Sequence, residues 1–286
     1  MFSSIIILYH PEQSRLLDNI ALLNDAGWSV IVIDNSPESH ANWLPDYVSY
    51  THCPENAGIA EAQNIGLREV QQRQHEYALL LDQDSLLSLS LLRGLQASIV
   101  KARKMHPKVA AIGPCIVSEF DHKPVTASIQ KPKAVGEGYL SATQIIASGM
   151  VLSVHCLDEV GLKETELFID GVDHEWCWRA RQCGYEIFVD SNLRMIHKQG
   201  DARKRVLGVD FKVGQPIRLY YQFRNVLLLL PRSYVPAYWK IRNLIALPCR
   251  WIVNRFLLDA RSQRGAFMWK GIKDGVKRVS GPMGKR

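Results

Sequence analysis

Tyr77-Ala78-Leu79-Leu80-Leu81 is an apolar run that stops abruptly at Asp82-Gln83-Asp84. A run of this length followed by polar residues reads as a buried central strand of an α/β sheet. Ligands bind such sheets outside the carboxyl ends of their strands. In an extended segment residues i and i+2 point the same way, so the two carboxylates converge on one point. Two hard oxygen donors at a strand end suit Mg²⁺ or Mn²⁺, ions that share their sphere with phosphates. A turn, or a cap for the next helix, is the plain alternative, and an Asp-x-Asp pair alone does not separate the two.

Further polar residues stand at the ends of apolar segments. Asp34 closes the run Trp28–Ile33; it is either an acceptor for a nucleotide base or ribose, or a turn-forming residue. Asn56-Ala57-Gly58 suits a loop that enters a helix whose amides face an anion. Asn64 and Gly66 follow on that helix. Gly149, inside the strand-like run Gln144–Val154, suggests a bulge or a close backbone approach to a ligand, with a packing glycine as the alternative. Asp173 follows the apolar piece Leu167-Phe168-Ile169 and stands where a helix starts, a place that suits an N-cap and a general base alike. His197 ends the extended piece Leu193–Ile196; neutral imidazole can be structural or a third metal ligand beside two carboxylates.

The elements that must position these groups alternate between strand and helix. Ser3–Tyr9 is a β-branched strand, residues 14–26 a helix ended by Gly27, and Trp28–Ile33 a second strand. A β-α-β start predicts a parallel sheet with a right-handed crossover. Val48–His52 and Val109–Val117 read as further strands, and Ser88–Lys104 as a helix. Residues 118–142 show no period and read as an excursion over the active face. Ile187–Val189 and Leu193–Ile196 read as two short extended pieces. Beyond them Pro216–Leu230 and Val235–Leu258 read as helices, and residues 270–286 as a loose tail.

The 286 residues carry a net charge of +7 that conceals a split. Residues 1–197 hold 15 Lys and Arg against 24 Asp and Glu, whereas residues 198–286 hold 20 against 4. The division predicts a domain over residues 1–200 and a basic helical region over residues 201–286 with an anionic partner. Tyr220, Tyr221, Trp239, Trp251 and Phe256, interleaved with Arg218, Lys240, Arg242, Arg250 and Arg255, read as a membrane-surface face; the alternative is an ordinary subdomain with a solvated basic side. No known nucleic-acid module is recognisable. The N-terminus lacks a secretory pattern, no apolar run is long enough to span a bilayer, and the six cysteines form no Cys-x-x-Cys pair. These features predict a cytoplasmic protein with reduced thiols, peripheral at the inner face of the membrane. Neither a Walker A loop nor Gly-x-Gly-x-x-Gly is present.

The ordered set Asp34, Asn56-Ala57-Gly58, Asn64-Ile65-Gly66, Asp82-Gln83-Asp84, Gly149-Met150, Asp173-His174-Glu175-Trp176 and His197 resembles the inverting glycosyltransferases of family 2 over residues 3–197. Tyr220-Tyr221-Gln222-Phe223-Arg224-Asn225 is similar to a segment of bacterial rhamnosyltransferases of O-antigen and cell-surface polysaccharide synthesis. The resemblance implies a GT-A fold, a mixed and mostly parallel Rossmann-like sheet flanked by helices. It implies sugar transfer from a nucleotide-diphosphate donor, with dTDP-rhamnose the first expectation, to a saccharide or polyprenyl-diphosphate-linked acceptor. Asp34, Asn56, Gly58, Asn64, Asp82, Gln83 and Gly149 would face the donor. Asp82, Asp84 and His197 would hold the Mg²⁺ or Mn²⁺, Asp173 would be the catalytic base, and Trp176 and Arg179 would face the acceptor. Many relatives carry an acidic residue just before the base, where this chain has Val172. A sugar nucleotidyltransferase is the rival enzyme, but residues 9–15 lack its basic Gly-rich loop; a non-catalytic sugar-nucleotide scaffold at the membrane is the other rival.

Overall fold

The computed structural model describes residues 1–119, 132–197, 202–206 and 209–284, and at Ser118, His197 and residues 202–206 and 209–213 the backbone only. The chain opens with β1 (Phe2–Leu8), α1 (Gln13–Asp25), β2 (Ser29–Asp34), β3 (Ser49–His52), α2 (Gly58–Gln72), β4 (Tyr77–Asp82), α3 (Leu89–Met105) and β5 (Val109–Ser118). The hairpin β6 (Lys133–Gly136) and β7 (Tyr139–Ser141) follows, then β8 (Met150–Ser153), the one-turn helix α4 (Leu157–Val160), α5 (Val172–Gln182) and β9 (Glu186–His197). A separate hairpin, β10 (Ala202–Val206) and β11 (Val209–Val213), leads to α6 (Pro216–Leu229), α7 (Ala237–Ile252), a π-helical turn at Val253–Leu257, and α8 (Arg261–Val276).

Among the described residues nine strands form one mixed sheet in the order β3-β2-β1-β4-β8-β5-β9-β7-β6. β1, β2, β3 and β4 are parallel, and so are β5 and β9; β8 lies antiparallel between β4 and β5. The central strands are buried on both faces, which is why they read as continuous apolar runs rather than alternating ones. One face packs Ile5, Ile31, Ile33 and Leu80 on α2 and α5, with Leu67, Val70, Trp176 and Ala180 among the contacts. The other packs Ile6, Val30, Val32 and Leu81 on α1 and α3 through Leu16, Ile20, Leu92 and Leu95.

Four segments differ from the sequence reading. Residues 144–149 are irregular, and only Met150–Ser153 is strand. β9 is one strand of twelve residues whose pairing with β5 shifts register between Pro114 and Cys115, so the polar stretch Asp190-Ser191-Asn192 is an irregularity within a strand rather than a break. The stretch read as an excursion over the active face contains the β6–β7 hairpin; its residues 120–131 lie outside the described part. Residues read as a loose tail continue α8 to Val276. Gly271 and Gly275 make this possible, because a side chain at either would run into the backbone of α6 at Tyr220 and Arg224. They are contact points of two closely packed helices.

Candidate active site at the carboxyl edge of the sheet

Pairing fixes where the acidic residues stand. Leu8 pairs with Asp34 on one side of β1, and Ile7 pairs with Asp82 on the other. Asp34 and Asp82 therefore leave the sheet at one edge, two strand spacings or about 10 Å apart. The antiparallel β8 begins beside the end of β4, with Met150 opposite Leu80, so residues 147–149 come to the same edge. The backbone of His197 ends β9 opposite Ser118; its side chain lies outside the described residues.

The decisive contact is made by that last turn. The Ser148 hydroxyl donates to Asp82 Oδ2, and Ala147 N donates to Asp173 Oδ2 at 3.0 Å. Two carboxylates from distant elements thus hold neighbouring residues of one turn, which limits their separation to about 12 Å from standard bond lengths and hydrogen bonds. Asp173 is in the first turn of α5, whose N-cap is Gly171 in the left-handed region, so the N-cap alternative for Asp173 is replaced by this contact with Ala147. Its Oδ1 is buried without a hydrogen-bond partner among the described residues. Such an oxygen has an acceptor site that no described donor fills. Behind it lies Lys163, fully buried, with Nζ 4.4 Å from the Trp176 ring centre. Burial pushes the Lys163 pKa down, while the charge of Asp173 favours its protonated form.

Gln83 joins the edge together: its amide accepts from Tyr9 N at 2.7 Å and donates to Tyr9 O at 3.0 Å, tying the end of β1 to the end of β4. Asp84 is exposed one residue on. Among the described residues no group of three His, Cys, Asp or Glu side chains surrounds a point that could hold a metal. The pair Asp82 and Asp84 still suits Mg²⁺, which commonly takes one or two carboxylates and completes its sphere with water and phosphate.

Asp34 is fully buried and closed on its own loop. Oδ1 accepts from Ser36 N at 2.9 Å, and Oδ2 accepts from His40 N at 3.2 Å and the Tyr50 hydroxyl at 2.8 Å, with His40 Nδ1 also at 2.8 Å. Burial alone would raise its pKa, but the hydrogen bonds from Ser36, His40 and Tyr50 outweigh it and hold the carboxyl below the usual range. Asp34 shapes the corner beside the site.

Several residues assigned to ligands have internal work instead. Asn64 is buried and pairs both ways with the Lys163 backbone, at 2.9 and 2.8 Å, so its amide faces no donor. Asn56 Oδ1 accepts from Gly58 N at 3.0 Å, and the first amides of α2, Ile59 and Ala60, donate to Phe168 O at 2.9 and 3.3 Å rather than to an anion. Gly58 has φ +80°, and the Phe168 ring occupies the space its side chain would need. Gly149, at φ +83°, is packed against Met195 Sδ and Pro114, which is the packing alternative. Trp176 is fully buried and donates to Gly161 O at 3.0 Å, and Arg179 is consumed by Glu175 at 2.9 and 3.0 Å and by the carbonyls of Val160 and Leu162, so neither faces an acceptor.

A family model described as glycosyl transferase family 2 matches residues 4–137. A relative, dTDP-rhamnosyl transferase RfbF of Shigella flexneri, is 27% identical over 292 aligned residues, 97% of this chain and 96% of that one. Over its first half the chain is similar to glycosyltransferase family 2, and over nearly its whole length to that rhamnosyl transferase. Its fold is GT-A. S. aureus TarS 1-349 in complex with UDP-GlcNAc superposes with a TM-score of 0.54 at 14% identity, over 98% of this chain and 82% of that one. GalNAc-T7 with UDP, GalNAc and Mn²⁺ superposes with a TM-score of 0.56 at 14% identity over 98% of this chain, which spans 56% of that protein.

The segment Tyr220–Asn225 supports the loop that leads to Asp173. Asn225 Nδ2 donates to the carbonyls of Leu167, Ile169 and Asp170 at 2.9, 2.7 and 2.8 Å. Arg224, fully buried, donates to Glu166 O and Leu167 O at 3.0 Å each and to Gly281 O, and lies over the rings of Tyr220 and Tyr221. These two residues fix the loop that feeds α5 and hence Asp173. Sequence reasoning missed them as site residues; the signal was an Arg-Asn pair on the apolar side of a helix, where polar groups need partners.

Proposed function

We propose that this glycosyltransferase moves L-rhamnose from dTDP-rhamnose to a hydroxyl of a saccharide acceptor, with inversion at the anomeric carbon. The observation that carries the reading is the Ala147-Ser148 turn, gripped on one side by Asp82 and on the other by Asp173. Asp173 takes the proton of the acceptor hydroxyl as it attacks, a general-base role. Ala147 N holds one oxygen and orients the carboxylate, leaving Oδ1 for the proton. A covalent route would want a second carboxylate as nucleophile. Asp170 is paired with Arg218 at 2.7 Å and Glu175 with Arg179, so neither serves, and a single displacement follows. Asp82 and Asp84 would hold a divalent cation on the donor diphosphate, where it neutralises charge on the leaving group. The sugar and nucleotide follow the S. flexneri relative, which aligns over nearly the whole of both chains.

The membrane belongs to the same reading. Ile241, Ile245 and Ile252 expose one face of α7, and Phe256 and Trp269 lie beyond it, each more than half exposed. Arg242, Lys270 and Lys273 lie on the same helices. An apolar stripe bordered by cations suits an anionic leaflet. Among the described residues no helix is long and apolar enough to cross a membrane, so the attachment would be peripheral. Of the aromatic residues read as that face, Phe256 is exposed, whereas Tyr220, Tyr221 and Trp239 are buried.

Asp173→Asn tests the assignment. The amide oxygen still accepts from Ala147 N, but the base is gone. Transfer should fall by about 10²–10⁴-fold, the usual worth of a general base, with dTDP-rhamnose affinity unchanged. Full turnover in that variant would exclude Asp173.

A further inference from the structure

A cavity of about 440 Å³ opens between the start of α5 and helices α6, α7 and α8. His174, the residue after Asp173, lines it, so it lies on the base side of the site. Its charge is one-sided. Arg218, Arg250 and Arg264 enter it against a single acid, Asp170, and Asp170 is bound bidentately by Arg218 at 2.7 and 3.3 Å. Two positive charges remain uncompensated among the described residues.

The two differ in what surrounds them. Arg264 is spent on neutral oxygens: Asp259 O at 2.9 Å, Gly214 O at 3.1 Å and Asn254 Oδ1 at 3.2 Å. The Arg250 side chain makes no hydrogen bond or ion pair with any described residue. Arg250 is partly buried, and a guanidinium drawn out of water without a protein partner favours a ligand that receives it. Burial and the neighbouring Arg242 disfavour its charged form and outweigh Asp170, whose charge favours it. The local backbone is also irregular in a way that serves the cavity. Pro248 removes a helix hydrogen bond two residues before Arg250, and the π-helical turn Val253–Leu257 follows, with Asn254 bonded to Arg250 O at 2.9 Å. π-turns are frequent at functional sites because they re-aim side chains.

We infer that this cavity is the seat of a phosphate or diphosphate ester on the acceptor, with Arg250 its principal ligand and Arg218 and Arg264 at its sides. The inference rests on the proposed transfer reaction and names the acceptor class for it. A guanidinium fork matches phosphate oxygens two at a time. Two surplus positive charges match a dianion. The size suits a ligand site, since such clefts run to about 300–1,000 Å³. The helix that carries Arg250 is the one whose outer face exposes Ile241, Ile245 and Ile252, so an ester with a hydrocarbon tail would find the leaflet beside the anion seat.

The test is calorimetric titration of inorganic diphosphate and of octyl diphosphate into the full chain with excess chelator, comparing wild type, Arg250→Ala and Arg250→Lys. Wild type should bind, with affinity that falls as salt rises. Arg250→Ala should weaken binding by at least about tenfold, and Arg250→Lys by less, because a lysine keeps the charge but not the fork. Tighter binding of octyl diphosphate assigns the lipid-linked source; equal binding of both probes assigns the anion alone. Arg250→Ala should melt at the same temperature as wild type or higher, since no protein partner is lost. Absence of binding by wild type, or equal affinity in Arg250→Ala, would overturn the inference. Release of dTDP from dTDP-rhamnose reports separately on the transfer reading, so failure of one is distinguishable from failure of the other.

Discussion

Asn225→Ala removes the donor that three carbonyls share. Nδ2 carries two hydrogens, so at most two of the bonds to Leu167, Ile169 and Asp170 are full at once. Arg224 Nε also loses its 3.0 Å acceptor, Asn225 Oδ1. Each lost bond is worth about 1 kcal/mol net, and each buried group left unpaired costs about 1–3, so the variant should lose about 2–4 kcal/mol. Urea unfolding measures this directly, and the melting temperature should drop by about 4–10 °C for a chain of this size. Asn225→Leu separates hydrogen bonding from packing. It refills the volume but restores no donor, so it should be as unstable as Asn225→Ala. Because the loop leads into α5, kcat at a temperature where the variant is folded should fall further than KM for dTDP-rhamnose rises. Recovery of wild-type stability in Asn225→Leu would refute the reasoning, for it would make the residue a space-filler.

Gly271→Ala should destabilise the chain by about 1–3 kcal/mol, the usual cost of overpacking, because its methyl meets Tyr220 O on α6; denaturant midpoints check it. The Asp34 carboxyl titrates below its unfolded value, so its contribution is complete above about pH 4 and disappears as pH falls through the folded-state value. Asp34→Asn should therefore be less stable than wild type at neutral pH, with a gap that narrows below about pH 4 in a urea series. A chelator should abolish transfer, and Mg²⁺ or Mn²⁺ should restore it; unchanged rates in its presence would contradict the assignment of Asp82 and Asp84.

Much of the fold was legible because the chain alternates apolar strands with amphipathic helices. β1, α1, β2 and α3 fall within one or two residues of the runs that announced them. The misreadings have particular causes. Residues 144–149 are apolar enough for a strand, yet Ala147 and Gly149 are small to allow a turn, and composition does not separate the two. Asp190-Ser191-Asn192 reads as a break, whereas β9 absorbs it by shifting its register with β5. α8 is basic and carries glycines, which weigh against a helix until α6 is seen against it. In α7 both faces hold apolar residues, so periodicity did not tell which one the core covers. At the site the carboxylates were visible as strand ends. Asn64, Trp176 and Arg179 were not separable from ligand-binding residues, because a side chain's partners are set by what folds over it, here residues up to 99 positions away. The Arg224-Asn225 clamp escaped for the same reason.

Ala147 and Ser148 are joined by a single peptide, and each is held by a different acid. A rigid planar link transmits displacement, so a shift of Asp82 when a donor arrives pulls on the hold that aims Asp173. On the proposed transfer reaction such wiring would impose a sequence of events, with Asp173 readied as proton acceptor only once the nucleotide is aboard. Initial-rate kinetics should then show compulsory-order addition, donor first, with little wasteful hydrolysis while the base waits.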